Sequence, residues 1–246
     1  PRCPHYRACS PYQCIDYPLQ VEIKTAQLRE MLSHHLKYPA DDLSVVPSDQ
    51  VWSYRNKARL HLLRKGDAVT WSYHEPGTAA AYVPVDSCHL LSDRMNALFS
   101  ALLGVLRDLK IGWITEATVR ESLSAGRLLL LLAGSPPRDV SALRAALEER
   151  SAALGLSGAA VAGSGRRLSL FGADSLTEEI GGLSYSYGPS SFFQVNVPAL
   201  ALVLRDLKVV PKGAEPLLTA SEVRARYSLM AILRGNIAVD EVAISS

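Results

Sequence analysis

The sequence predicts an α+β fold in which one mixed sheet is covered by helices. Three observations support this prediction. Apolar residues recur at helical spacing in residues 17–36, 93–110 and 139–153, and short apolar segments bounded by turn residues occur between them. Strand pairs that alternate with helices are typical of an α+β domain. The 246 residues, of which 48% are apolar and 20% charged, suffice for one large or two smaller domains.

Three of the four cysteines crowd the start of the chain, in the run CPHYRACSPYQC: Cys3, Cys9 and Cys14. The fourth, Cys88, lies far downstream. A chain of this length with so few cysteines does not resemble a disulfide scaffold, and clustered thiols in a reducing compartment are more often metal ligands. The C-x5-C spacing lacks the paired C-x2-C knuckles that zinc favours, and it suits an iron–sulfur cluster better. Zinc and free thiols are the alternatives.

The sequence shows no recognisable targeting or membrane segment. Nothing that resembles a signal peptide precedes the cysteines, and the longest leucine run, residues 128–132, is far shorter than the roughly 20 apolar residues of a membrane span. We therefore expect a cytoplasmic protein without membrane contact. The first residue is proline, which indicates a cut or processed N-terminus. The formal charge of +2 is too small to imply a nucleic-acid partner by itself.

Residues 17–36 predict the first helix, because their apolar residues recur at approximately helical spacing. The residues of this stripe are Leu19, Ile23, Leu28, Met31 and Leu32.

The sequence VWSYRNKARLHLLRK, residues 51–65, predicts the first strand. Its period of two places Arg55, Lys57, Arg59 and His61 on one face. A face with this charge attracts a phosphate backbone and releases its counterions. A solvated sheet face is an equally good interpretation of a short basic run.

The next helix is predicted over residues 93–110, with Ser92 as its N-cap. Its apolar stripe consists of Met95, Leu98, Leu102, Val105, Leu106 and Leu109. Residues 114–123 and 127–133 then predict a β-hairpin. A helix over 139–153 and short strands near 159–161 and 167–171 complete a mixed sheet that accounts for residues 17 to about 190.

The segment GGLSYSYGPSSFFQVNVPALALVLRDL, residues 181–207, predicts a strand over 183–187 and a helix from Val197 onward. Between them, Phe192 and Phe193 precede two side-chain amides, Gln194 and Asn196. Paired rings beside amides suit stacking on a base and hydrogen bonding to its edge or to a cofactor. The alternative is a helix entry with two core phenylalanines.

Four motifs together resemble one family, the S-adenosylmethionine-dependent RNA uracil-5 methyltransferases, which make 5-methyluridine in ribosomal and transfer RNA. They occur in the family's order and cover nearly the whole chain: CPHYRAC, YRNKARL, VDSCHLL and SSFFQVN. The most specific is SSFFQVN, which resembles the junction between the central domain and the methyltransferase domain of the family.

The resemblance implies three parts: an iron–sulfur loop over residues 1–16, a central α+β RNA-binding domain over 17–190, and the incomplete start of an α/β Rossmann-like methyltransferase domain over 191–246. It implies S-adenosylmethionine as methyl donor, ribosomal or transfer RNA as partner, and a monomer. The donor contact implied is Gln194. The implied ligands of a 4Fe–4S cluster are Cys3, Cys9, Cys14 and Cys88. The implied RNA contacts are Arg55, Lys57, Arg59 and Phe193.

The chain departs from the family's pattern at two places. Tyr12 stands where the third cluster cysteine is usual, and Cys14 follows two residues later. The glycine-rich donor loop is replaced by LLTASEVRARYSL, residues 217–229, and Ala243 stands where the family has an acid that holds the donor's ribose. Side chains there occupy space that a bound nucleotide needs.

The family's catalytic residues have no counterparts in this sequence. In the family a thiolate adds to uracil C6, C5 then takes the methyl group, and a base removes the C5 proton. Both of these residues lie beyond the position of Ser246 in relatives. We therefore expect a truncated or degraded copy that is inactive by itself, or else a non-catalytic iron–sulfur RNA-binding module.

Overall fold

The computed structural model has a seven-stranded mixed sheet at its centre. It describes residues 1–36, 43, 45, 47–66, 68–75, 77, 81–163, 165–180, 183–199, 202–209, 218–227 and 239–245, the last three ranges by backbone alone. The strands of the sheet are β1 (Lys57–Lys65), β2 (Ala68–His74), β3 (Tyr82–Val85), β4 (Ile114–Ser122), β5 (Arg127–Gly134), β6 (Leu156–Gly163) and β7 (Arg166–Gly172). Their order is β3-β2-β1-β4-β5-β6-β7. The prediction of a mixed sheet with helices is confirmed.

One pair of neighbours in this sheet, β5 and β6, is parallel, and the other pairs are antiparallel. The parallel pair follows from chain connectivity, because a helix crosses between these two strands. That helix is α4 (Ser141–Leu154), which ends at Gly155 in the left-handed conformation, with φ of 65°. The hairpin predicted from residues 114–133 is confirmed as β4 and β5.

The remaining helices are α1 (Tyr6–Cys9), α2 (Tyr17–Leu36) and α3 (Asp93–Asp108), and a 3-10 turn spans Pro11–Cys14. The predicted Ser92 cap is confirmed, because its hydroxyl accepts from the Met95 N–H at 3.1 Å. One residue of each predicted apolar stripe is exposed rather than buried. Leu19 of α2 is 48% exposed, and Leu109, beyond the end of α3, is 38% exposed, so the prediction is wrong for these two residues.

Helices α3 and α4 pack on one face of the sheet, here called the inner face. The core lies between these helices and the sheet. Trp71 anchors β2 to α3, since its indole N–H donates to the Phe99 carbonyl at 2.8 Å. The buried strand residues of this core include Ala58, Leu60, Ala117, Val119, Leu128, Leu130, Leu132 and Val161, and the buried helix residues include Met95, Leu98, Leu102, Leu106, Leu143 and Leu147. Because side chains alternate along each strand, every second residue lies on the opposite face of the sheet, here called the outer face.

The first strand is shorter than predicted. It begins at Lys57 rather than near residue 51, and Arg55 makes only isolated bridges, to Leu91 and Asn196. Ser53 has φ of 52°, a left-handed conformation that interrupts an extended chain. Arg55 lies outside β1, and its charge lies near Tyr73 and Cys88, whereas that of Lys57 lies near Arg59 and Arg120; placing Arg55 on the same strand face as Lys57 and Arg59 was therefore wrong.

A two-stranded hairpin, β8 (Leu176–Ile180) and β9 (Leu183–Tyr187), packs on the outer face over β4 and β5. The buried Glu178 carboxylate fixes it, because it accepts from the N–H groups of Leu123 and Ser124 at 2.9 and 2.7 Å. The Tyr187 hydroxyl lies 3.1 Å from the Glu121 carbonyl and 3.3 Å from the Glu178 carboxylate, and its single proton can be donated to either acceptor. The hairpin is thereby attached to the β4–β5 turn by paired, buried polar groups.

The C-terminal strands form a separate antiparallel sheet: β10 (Leu202–Val209), β11 (Leu218–Tyr227) and β12 (Val239–Ser245). The prediction of a helix from Val197 onward is wrong, since residues 197–199 are not helical and Leu202–Val209 form strand β10. A run rich in Leu and Val, such as ALALVLRDL, is compatible with either structure, and pairing with β11 favours the strand. That residues 191–246 begin a Rossmann-like domain stays a prediction.

Among the helices that the structure describes, none is long and apolar enough to cross a membrane.

Candidate functional site

Three of the four cysteines lie near one another below the start of α3. Cys3 and Cys88 are buried, and Cys9 is half-buried. Burial, and after it the negative charges of Cys88 and Cys3, raises the pKa of the Cys9 thiol to about 11. The Tyr73 hydroxyl donates to the Cys88 sulfur at 3.5 Å. The Cys9 thiol is therefore protonated near neutral pH.

Two hydrogen bonds between the Asn96 side chain and the Cys88 backbone hold Cys88 in place. Its N–H donates to Asn96 Oδ1 at 2.9 Å, and Asn96 Nδ2 donates to the Cys88 carbonyl at 3.1 Å. Because Asn96 lies on α3, the helix fixes a residue that the sequence places far from the other cysteines.

The fourth cysteine does not join this group. Cys14 is exposed at the end of the 3-10 turn. Over the described ranges, no set of three or more His, Cys, Asp or Glu side chains is arranged to hold a metal ion. As they lie, the four thiols do not fit a four-sulfur site, so the predicted ligand set stays a prediction.

The predicted cationic face is present on the outer face of β1. Arg59 has a side chain that is 64% exposed, and its Nε lies 2.7 Å from Glu116 Oε2 on β4. His61 Nδ1 lies 3.6 Å from the same carboxylate oxygen. Lys57 is half-buried, and burial, then Arg120 and Arg59, lowers its pKa. The site thus holds several cations around one acid.

The segment SSFFQVN leaves β9 and crosses the outer face as an irregular loop. Arg120 of β4 lies buried beneath it and donates from Nε to the Pro189 carbonyl at 3.3 Å and from Nη2 to the Ser191 carbonyl. Its guanidinium also stands over the Tyr187 ring, 5.0 Å from the centroid. The loop is held from below by one arginine.

Arg120 and Tyr187 were not singled out from the sequence. Arg120 lies in a segment that was interpreted as apolar, and Tyr187 was assigned only to a strand. A cation in a strand that is otherwise buried was the available signal, because such a charge needs partners.

The two phenylalanines of this loop have different surroundings. Phe193 stacks on Tyr187, with ring centroids 4.3 Å apart and planes at 20°, and packs against Leu129 and Leu176. Phe192 is 66% exposed. The core interpretation of the pair therefore describes Phe193, whereas the ring offered to a ligand is that of Phe192.

Gln194 follows these rings and is half-buried, and no described residue hydrogen-bonds to its side-chain amide. The next residue is tied to the sheet, because the Asn56 N–H donates to the Val195 carbonyl at 3.0 Å. Among the described residues, the two donors and the acceptor of this amide have no partner, and the loop that carries it is fixed on both sides.

Comparison with known proteins finds relatives of one kind, while no family model matches the chain. The chain is 23% identical over 238 residues to an uncharacterized RNA methyltransferase of Halalkalibacterium halodurans, covering 85% of this chain and 50% of that protein. It is 28% identical over 212 residues to the 23S rRNA (uracil(1939)-C(5))-methyltransferase of Shewanella amazonensis, covering 80% of this chain and 45% of that protein. The chain spans about half the length of the curated relatives it matches.

Among solved structures, the fold resembles the Pyrococcus abyssi tRNA (uracil-54, C5)-methyltransferase in complex with S-adenosyl-L-homocysteine. The TM-score is 0.56 at 17% identity, over 75% of this chain and 46% of that one. At this identity the likeness concerns the fold. The relatives are RNA methyltransferases by name, and this agrees with the resemblance of the four motifs to the RNA uracil-5 methyltransferases.

Proposed function

We propose that this chain supplies the RNA-binding part of a methyltransferase that transfers a methyl group from S-adenosylmethionine to a uridine of ribosomal or transfer RNA. The observation that carries the proposal is the outer face of the sheet, where exposed cations on β1 adjoin the fixed loop that bears Phe192 and Gln194. The relatives, all named as RNA methyltransferases, support it. Reduced, clustered thiols suit the cytoplasm, which we propose as its location.

RNA contacts in this proposal divide into two kinds. Lys57 and Arg59 hold phosphates, because Glu116 pairs with Arg59 and does not pair with Lys57. Phe192 presents its ring to a base, and Phe193 anchors the loop through its stack on Tyr187. Arg55 is half-buried before β1, and its charge lies near those of Tyr73 and Cys88, so that it contacts RNA stays a prediction.

Gln194 is the proposed contact to the methyl donor. Its amide offers two donors and one acceptor, and the loop holds the backbone on either side of it. Cys3, Cys9, Cys14 and Cys88 are assigned no step of methyl transfer. The proposal keeps them as ligands of a 4Fe–4S cluster, which requires Cys14 to approach the other three.

Binding of a uridine-containing RNA stem-loop, followed by fluorescence anisotropy, tests the RNA part. We expect Lys57→Gln and Arg59→Gln each to weaken binding and to reduce the salt slope by about 0.7–0.9. Arg138→Gln, which removes an exposed cation from the loop before α4, is the matched control. Equal binding by the parent and both β1 variants would contradict the proposed contact.

The donor part is tested by equilibrium dialysis against labelled S-adenosylmethionine. We expect Gln194→Ala to weaken retention of the donor, while Arg138→Gln leaves it unchanged. Retention that is the same in parent and Gln194→Ala would argue against the assignment.

A second candidate function, a non-catalytic RNA-binding module, is favoured by one observation. β11 runs as a continuous strand over Leu218–Tyr227, where the family places its glycine-rich donor loop. Transfer of a tritiated methyl group into the stem-loop separates the two functions. Transfer supports the methyltransferase, and RNA binding without donor retention or transfer supports the module.

A further inference from the structure

Three aromatic rings touch one another at the β1–β3 end of the outer face. The ring centroids of His61 and His74 lie 4.3 Å apart, those of His74 and Tyr82 4.5 Å apart, and those of His61 and Tyr82 5.5 Å apart. They come from three adjacent strands, since His74 pairs with Tyr82 across β2–β3 and His61 pairs with Ser72 across β1–β2. We call these three residues the aromatic platform.

The platform is open to solvent. His74 is exposed, Tyr82 is 37% exposed, and the His61 side chain is 24% exposed. The apolar core of the sheet lies on the opposite, inner face, where α3 and α4 cover it. Three contacting rings on a solvent face do not serve the core, so their packing calls for another explanation.

The cations beside the platform are incompletely neutralised. Lys57 and Arg59 lie on the same face of β1 as His61, and Lys57 pairs in register with Arg120 of β4. Over the part of the chain that the structure describes, Glu116 is the only acid that forms an ion pair with any of these groups. The charges of Arg120 and Arg59 oppose that of Lys57, and a phosphate bound beside Lys57 and Arg59 would relieve this repulsion.

We propose that this end of the outer face binds a single-stranded segment of RNA, with bases stacked on the aromatic platform and phosphates held by Lys57 and Arg59. The proposal rests on the proposed function and adds a surface separate from the loop of Phe192 and Gln194. Bases in a duplex are stacked on each other and hide their faces, whereas unpaired bases stack on protein rings. Lys57 and His61 are four residues apart on one strand, about 13 Å, which leaves room for more than one nucleotide.

The test measures binding of a fluorescein-labelled oligouridine of about ten nucleotides to the full chain by anisotropy, without methyl donor. We expect Tyr82→Ala to weaken binding about fivefold or more, because a stacking partner is lost. Tyr82→Phe keeps the ring and is expected to bind like the parent. Leu168→Ala, which trims an exposed apolar side chain on β7, is the matched control.

His74→Gln is the second variant, and it is expected to weaken binding in the same direction while keeping a polar side chain at an exposed position. The proposal is overturned if Tyr82→Ala and His74→Gln bind as Leu168→Ala does, or if a duplex of the same length competes as well as the single strand. In both cases parent binding to the stem-loop still supports the proposed function. If the parent binds neither RNA, the RNA part of the proposed function falls as well.

Discussion

Replacing Arg120 by methionine tests whether one buried cation holds the loop that carries Gln194. The side chain is fully buried, donates to the carbonyls of Pro189 and Ser191, and stands over the Tyr187 ring. Two hydrogen bonds from a charged donor contribute about 3–6 kcal/mol together, and the cation–π contact about 1 kcal/mol. Burial lowers the pKa of Arg120, and the desolvation behind that shift offsets several kcal/mol. The net loss on substitution is about 2 kcal/mol.

Urea denaturation followed by circular dichroism measures this loss, with Arg138→Met as the exposed control. Hydrogen exchange adds local information: amides of residues 188–196 should exchange faster in Arg120→Met, while those of β4 change little. Arg120→Lys keeps the charge but not the forked donor geometry, and an intermediate loss is expected. If Arg120→Met is as stable as the parent, desolvation outweighs the two hydrogen bonds and the argument for a loop held by Arg120 is refuted.

Three further predictions concern the cysteines, a pH effect and a helix cap. Protein purified without oxygen should contain iron and acid-labile sulfide at the level of one 4Fe–4S cluster, and Cys88→Ser should abolish it; folded parent without iron would remove the cluster from the proposal. The pKa of His61 in the folded chain is lowered, by burial first, so the unfolded chain binds its proton more readily and stability should fall as pH drops below about 6.5. Urea denaturation at several pH values measures how the free energy of unfolding depends on pH, and His61→Gln should reduce this dependence. If the slope against pH is unchanged in the variant, the dependence comes from other groups. Ser92→Ala should lower the free energy of unfolding by about 1 kcal/mol, because the Met95 N–H loses its acceptor; a loss no larger than that of an exposed serine such as Ser135→Ala would show that the cap contributes nothing.

Much of the fold was predictable because its elements carry strong local signals. Helix α3 has a cap at Ser92 and a regular apolar stripe, and β4 and β5 join two apolar runs through a short turn. The boundaries of such elements can be predicted from the sequence, because the residues that begin and end them have specific backbone or hydrogen-bonding requirements.

Elements whose form depends on distant partners were not predictable in this way. The alternation before β1 suggested a strand from residue 51, but Ser53 is in the left-handed conformation and interrupts it. A serine in the sequence does not predict that conformation. The run after Val197 suits a helix or a strand, and its pairing with β11 is visible only in three dimensions.

The candidate site shows the same division. Lys57 and Arg59 were found from alternation alone, and the structure places both on the outer face. The aromatic platform was not found, because His74 and Tyr82 lie on other strands and reach His61 only through the register of the sheet.

Strand β4 connects both halves of the proposed site. Glu116 neutralises Arg59 at one end, and four residues later Arg120 holds the donor-side loop, with both side chains on the same face. Inserting or deleting one residue between them would turn one of the two to the opposite face. Among relatives of this chain, insertions and deletions should therefore accumulate in the turns that flank β4, while the interval from Glu116 to Arg120 keeps its length.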